Sequence, residues 1–94
     1  MENSIISQTL LNLGLNKNEI KIYLNLLQIG TASASVLGQR TSITRSTAQY
    51  ACQRLTTRGL FHKIEKNGTF LYTAESPEKL LILLQNEHDQ LKKK

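Results

Sequence analysis

Between Thr44 and Arg54 the chain carries hydroxyl, guanidinium, amide and phenol groups at close helical spacing: Thr44, Arg45, Ser46, Gln49, Tyr50, Gln53 and Arg54. Together these groups break no bonds, but each has a counterpart on a nucleic acid. Arginine bridges guanine edges or clamps a phosphate, glutamine pairs with adenine, and serine bonds either kind of base. Further on, Lys63, Lys66 and Asn67 suit a phosphate or a minor groove. The groups that catalysis would need are not arranged for it. No Ser/His/Asp set or carboxylate pair can be assembled in one cleft, so no enzyme activity is expected. Cys52, His62 and His88 lack zinc-ligand spacing, so neither a metal nor another cofactor is expected. Cys52 falls on the apolar side of its segment and reads as core, without a second thiol to resolve an oxidised one.

The charge distribution points the same way. Of the net +5, residues 20 to 64 hold Lys21, Arg40, Arg45, Arg54, Arg58 and Lys63 and no acid, while the rest has six bases against seven acids. A basic surplus confined to one stretch suits a surface that meets polyphosphate, the plain alternative being a solvated face with no partner. At 94 residues the chain reads as one domain, 1–94. Its longest apolar run, Leu80 to Leu84, falls far short of the roughly 20 residues of a membrane span. Ser7, Gln8 and Thr9 interrupt the N-terminal apolar stretch, which argues against a signal peptide and for the cytoplasm.

The elements that would position these side chains follow from periodicity and caps. Ile6, Leu10, Leu11 and Leu13 predict a first helix over 3–13, stopped by Gly14. Asn16 with Glu19 three residues on has the capping-box pattern for a second. Ile20, Tyr23, Leu24 and Leu27 form its buried stripe, with Ile22, Leu26 and Ile29 widening it, and Gly30 ends it. A short third helix is expected from Ser33 to about Arg40 with Val36 and Leu37 inward, then a break at Thr41, Ser42 and Ile43. Thr44 is expected to cap a fourth helix to about Arg58, with Ala48, Ala51, Cys52 and Leu55 inward. At about 100° per residue its outward face centres on Ser46, Tyr50, Gln53 and Thr57. Arg45 lies only about 70° from the buried direction, which suits a phosphate contact better than base reading. Two short helices joined by a tight turn are a helix-turn-helix, whose second helix enters the DNA major groove. Asn67-Gly68 between the β-prone runs 60–66 and 69–74 then signals a hairpin, here a wing. Ser76-Pro77-Glu78 opens a last helix over 76–94.

The stretch Leu13-Gly-Leu-Asn-Lys-Asn-Glu-Ile-Lys-Ile-Tyr-Leu-Asn-Leu-Leu27 with Gly30 resembles the opening of the TrmB-type winged-helix regulators. Ile43-Thr-Arg-Ser46, Leu55, Gly59-Leu60, Tyr72, Ala74, Pro77 and Leu80-Leu81 fall where that family places similar residues. The resemblance implies a transcription regulator that binds duplex DNA, commonly as a dimer. It also implies that Arg45 matches a family arginine. Thr44 stands where the family often has proline, Ser42 where it has glycine, and Gln49 where it has tyrosine, with Tyr50 one residue later. Gly38 replaces a usual alanine, at about 1 kcal/mol if that position is helical. Many members carry a sugar-binding C-terminal domain, so these residues correspond to a short stand-alone regulator or to the DNA-binding part of a longer one.

The expected fold is therefore mainly α with a small β-hairpin wing, a winged helix-turn-helix. The expected function is sequence-specific binding of double-stranded DNA in transcription control. Dimerisation is expected through Ile6 and Leu10 of the first helix and Leu80, Leu81, Leu84 and Leu91 of the last, because the leucine run is wider than one neighbour can cover. The alternative is that the last helix packs back on Ile6 and Leu10 and closes the monomer. The competing class is a winged helix used as a protein-interaction module, which would have no need of the acid-free stretch.

Overall fold

Caps and turns set most of the element boundaries. The computed structural model describes residues 2–79 and Ile82, with side chains from Ile6 onward. Its elements are α1 (Glu2–Asn12), α2 (Lys17–Ile29), β1 (Thr31–Ala32), α3 (Ala34–Thr41), α4 (Arg45–Thr57), β2 (Phe61–Lys66) and β3 (Thr69–Ala74). At the start of α2 the Glu19 N–H donates to Asn16 Oδ1 at 2.8 Å, and the Asn16 N–H donates to Glu19 Oε1 at 2.9 Å. This reciprocal cap satisfies two orphan N–H groups and stabilises the helix by about 1 kcal/mol. Ser33 caps α3 through Val36 N–H at 3.3 Å. Thr44 sits at the N-cap of α4 but does not cap it. Its hydroxyl bonds the Thr47 hydroxyl at 2.9 Å, so the expectation of a side-chain cap there is corrected.

The α3–α4 turn depends on Gly38. Ser42 turns left-handed at φ 59, and the Ile43 N–H returns to the Gly38 carbonyl at 2.9 Å. A Cβ on Gly38 would lie 2.8 Å from the Ile43 carbonyl oxygen and 3.3 Å from Ala48 Cβ. The glycine read from sequence as a helix defect is thus what lets α3 and α4 approach. Val36, expected inward, is exposed, and Leu37 alone of that pair is buried. Thr41 is buried at the end of α3, where its hydroxyl donates to the Leu37 carbonyl at 2.7 Å.

The hairpin forms as expected, with Asn67 and Gly68 both at positive φ in its tight turn. Residues pair from Phe61↔Ala74 at the root to Lys66↔Thr69 at the tip. The sheet has a third strand, in the order β1-β3-β2, because Thr31 and Ala32 pair with Thr73 and Tyr72. Two residues offer no alternation to detect, so periodicity did not predict β1.

Leu10, Leu13 and Leu15 meet Ile22, Tyr23 and Leu26 of α2, Leu37 of α3 and the small inward residues of α4 in one core. Phe61 joins this core to the sheet, its ring lying 6.1 Å from that of Tyr23 and 6.0 Å from that of Tyr72. The Tyr23 hydroxyl donates to the Glu75 carbonyl at 2.5 Å. Burial, aided by the Glu75 carboxylate, pushes its pKa up to about 12, so the donor proton stays in place.

Leu10, expected at a dimer surface, is fully buried inside this protomer, while Ile6 packs partly buried against the core and Leu11 is exposed. Residues 77–79 are helical, with the Lys79 N–H donating to the Ser76 carbonyl at 3.0 Å. Leu80, Leu81, Leu84 and Leu91, like His88, lie outside the described residues. Among the described residues no helix is long and apolar enough to cross a membrane.

Candidate nucleic-acid interface

Ala48, Ala51 and Cys52 are small enough for α4 to seat closely on α2 and α3, and Leu55 anchors its C-terminal half. Burying that side turns the opposite one to solvent. Thr44, Arg45, Ser46, Gln49, Tyr50, Gln53, Arg54 and Thr57 are all exposed. Burial alone pushes the Cys52 thiol up to about 12, which keeps it a neutral core group.

Among the described residues, recesses divide this surface. Arg45 and Gln49 line the first, of about 290 Å³, with Ser33 and Ser35 at the start of α3 and with Gly68 and Phe70 of the hairpin. Gln53 and Lys63 share the second, of about 300 Å³, with Thr56, Thr57 and Tyr72. Tyr50, Gln53 and Arg54 line the third, of about 400 Å³, with Thr57 and Arg58. Gln53 and Thr57 line both the second and the third recess. The first places the Arg45 guanidinium beside the N-terminus of α3, and that guanidinium and helix end each favour an anion. Ser33, Ser35, Gly68 and Phe70 are not legible in sequence as parts of this interface, because only the tertiary fold brings α3 and the hairpin tip to α4.

The basic residues are not equivalent. Arg54, expected to neutralise phosphate, directs Nε to Glu19 Oε2 at 2.7 Å, one residue outside the acid-free stretch. An Nη2 of Arg58 donates to the Leu13 carbonyl and ties the end of α1 to the end of α4. Arg40 bonds Asn25 Oδ1 at 3.2 Å. Arg45, by contrast, makes no ion pair among the described residues. On the hairpin, Lys63 lies over the Phe70 ring at 4.6 Å, and Lys66 and Asn67 are exposed at the tip. At the hairpin root His62 Nε2 lies 2.5 Å from Glu75 Oε2, and that hydrogen bond holds the Glu75 carboxyl below its usual range.

The family described as sugar-specific transcriptional regulator TrmB matches residues 10–78. No curated protein matches the chain by sequence. Among solved structures, the chain is similar to TrmBL2, whose description is an archaeal chromatin protein with a novel mode of DNA binding. The TM-score is 0.81 at 17% identity, over 97% of this chain and 35% of that one. The chain thus spans about a third of that protein's length. It is also similar to the ST1889 protein of Sulfolobus tokodaii, with a TM-score of 0.80 at 16% identity, over 98% of this chain and 96% of that one. A third likeness is to BpsR of Bordetella bronchiseptica, described as a protein whose DNA binding is regulated by 6-hydroxynicotinic acid. There the TM-score is 0.67 at 20% identity, over 94% of this chain and 68% of that one. These likenesses bear out a winged helix-turn-helix.

Proposed function

The chain belongs to the TrmB family of transcriptional regulators, and from that premise we propose how it binds duplex DNA. Helix α4 lies in the major groove and presents Ser46, Gln49, Tyr50 and Gln53 to base edges. Arg45, with Thr44 beside it, takes a phosphate next to the N-terminus of α3. Lys63, Lys66 and Asn67 follow the flanking backbone from the hairpin. The observation that carries this reading is the first recess, where Arg45 and Gln49 of α4 meet the start of α3 and the hairpin tip in a lining that contains no acid.

We also propose that two copies act together, joined through α1 and the segment from residue 76 onward. The exposed Leu11 and Ile82 support that arrangement. Two α4 helices in such a dimer read half-sites about 34–36 Å apart.

The test is a binding selection from random duplex DNA at physiological salt, read by sequencing. An enriched inverted repeat supports both parts, and an enriched single half-site supports DNA reading without the dimer. Weak binding without enrichment, lost as salt rises, would overturn sequence-specific recognition.

A further inference from the structure

Glu19 is 2% exposed, yet it is ionisable and sits at the first turn of α2, beneath the outward-facing helix α4. One of its carboxylate oxygens is used by the cap on Asn16. The other accepts no aligned hydrogen bond and is compensated by the Arg54 guanidinium, whose Nε is 2.7 Å away. A buried carboxylate left without that cation would be strongly disfavoured, so the Arg54 guanidinium is drawn toward α2 although 43% of its side chain stays exposed. Arg54 stands one helical turn beyond Tyr50 on the same face of α4, and the two share a recess. The Tyr50 side chain, and after it the Glu19 carboxylate, raise the Arg54 pKa, so the guanidinium stays charged beside both. Arginine is suited to this because its planar fork can serve a carboxylate and a second acceptor at once.

We propose that Glu19 is a positioning residue for DNA reading, holding Arg54 away from phosphate and setting its guanidinium as a brace for Tyr50. The inference rests on the proposed function in taking α4 as the DNA-facing helix. It adds a residue from α2 that touches no DNA, and it removes Arg54 from the phosphate contacts. The phosphate-binding cations of this face are then Arg45, Lys63 and Lys66.

The tests are Glu19→Gln and Arg54→Ala, each compared with wild type. Glutamine at this position keeps the capping box, so Glu19→Gln leaves α2 capped while releasing Arg54. Affinity for a selected duplex is measured against salt, where each phosphate neutralised contributes about 0.9 to the logarithmic slope. The expected result is a Glu19→Gln slope steeper by about 0.9 and an Arg54→Ala slope equal to that of wild type. A shallower Arg54→Ala slope, or an unchanged Glu19→Gln slope, overturns the proposal. In the free protein, the Arg54 Nε–H resonance is expected to resist solvent exchange in wild type and to lose that protection in Glu19→Gln. Equal protection in the two overturns the proposal without any DNA present. Failure of wild type to bind DNA would instead sink the reading of α4, while the exchange measurement still decides whether Glu19 holds Arg54.

Discussion

Gly38→Ala separates two opposed physical expectations by sign. Helix propensity alone favours alanine inside α3 by about 1 kcal/mol. Against this, the added methyl would stand 2.8 Å from the Ile43 carbonyl oxygen and 3.3 Å from Ala48 Cβ. A carbon–oxygen contact relaxes near about 3.3 Å, so α3 and the turn would have to part by about 0.5 Å. Neither obstacle can yield by changing rotamer. One is backbone, in a turn pinned by the Ile43 N–H to Gly38 carbonyl bond. The other is a fully buried Cβ on α4. Overpacking costs about 1–3 kcal/mol, and two immovable neighbours place this case in the upper half of that range. Subtracting the propensity gain leaves a net loss of about 1–2 kcal/mol. For a domain of this size that lowers Tm by about 4–16 °C. The assay is thermal unfolding followed by circular dichroism, with Ser35→Ala as the control for propensity at an exposed position of the same helix. A Gly38→Ala protein melting at or above wild type would refute the close-approach argument.

The turn itself supplies a second prediction. Ser42→Gly removes an αL penalty of about 1–2 kcal/mol and adds unfolded-state entropy worth about 0.4–1 kcal/mol, so Tm should stay level or rise by a few degrees. A fall in Tm on heating counts against the left-handed geometry. With its thiol pushed up to about 12, Cys52 should resist alkylation at pH 8 in the native protein and react fully in denaturant, as mass spectrometry would register. Rapid native labelling would show that α4 is not seated as described. Glu75 has its folded pKa lowered, first by the His62 hydrogen bond, so its contribution to stability is present above the unfolded carboxylate value and lost as pH falls through the folded one. Tm measured across the carboxylate range should therefore fall with acid more steeply in wild type than in Glu75→Gln, and parallel curves would contradict the linkage.

What could be read from sequence was what short-range chemistry decides. The Asn16–Glu19 box, the Ser33 cap and the Asn67-Gly68 turn each need only residues within three positions, and the structure contains all of them. The outward face of α4 was legible because its inward residues are small or apolar at helical spacing. Misjudged features needed information from elsewhere in the chain. Gly38 is explained by a carbonyl across the turn, and Val36 points outward because Leu37 alone reaches the core. Arg54 finds its acid on α2, and Leu10 is claimed by the protomer's own core. Thr44 had the right chemistry for a cap, but its hydroxyl turned to a neighbouring hydroxyl.

The short strand β1 gives the wing a gradient of stiffness. Its two residues brace β3 only at Tyr72 and Thr73, so the root of the hairpin belongs to a three-stranded sheet fixed to the core by Phe61. Beyond that brace, the pairs Ile64↔Leu71, Glu65↔Phe70 and Lys66↔Thr69 are held by two strands alone. A two-stranded ribbon is marginally stable in water, whereas a third strand and a packed face make it firm. The hairpin therefore behaves as a cantilever clamped at Tyr72 and free at Asn67. Its tip can follow a groove that widens or narrows while α4 keeps its seat. Amide exchange should fade along it in that order, slow at Tyr72 and fast at Lys66.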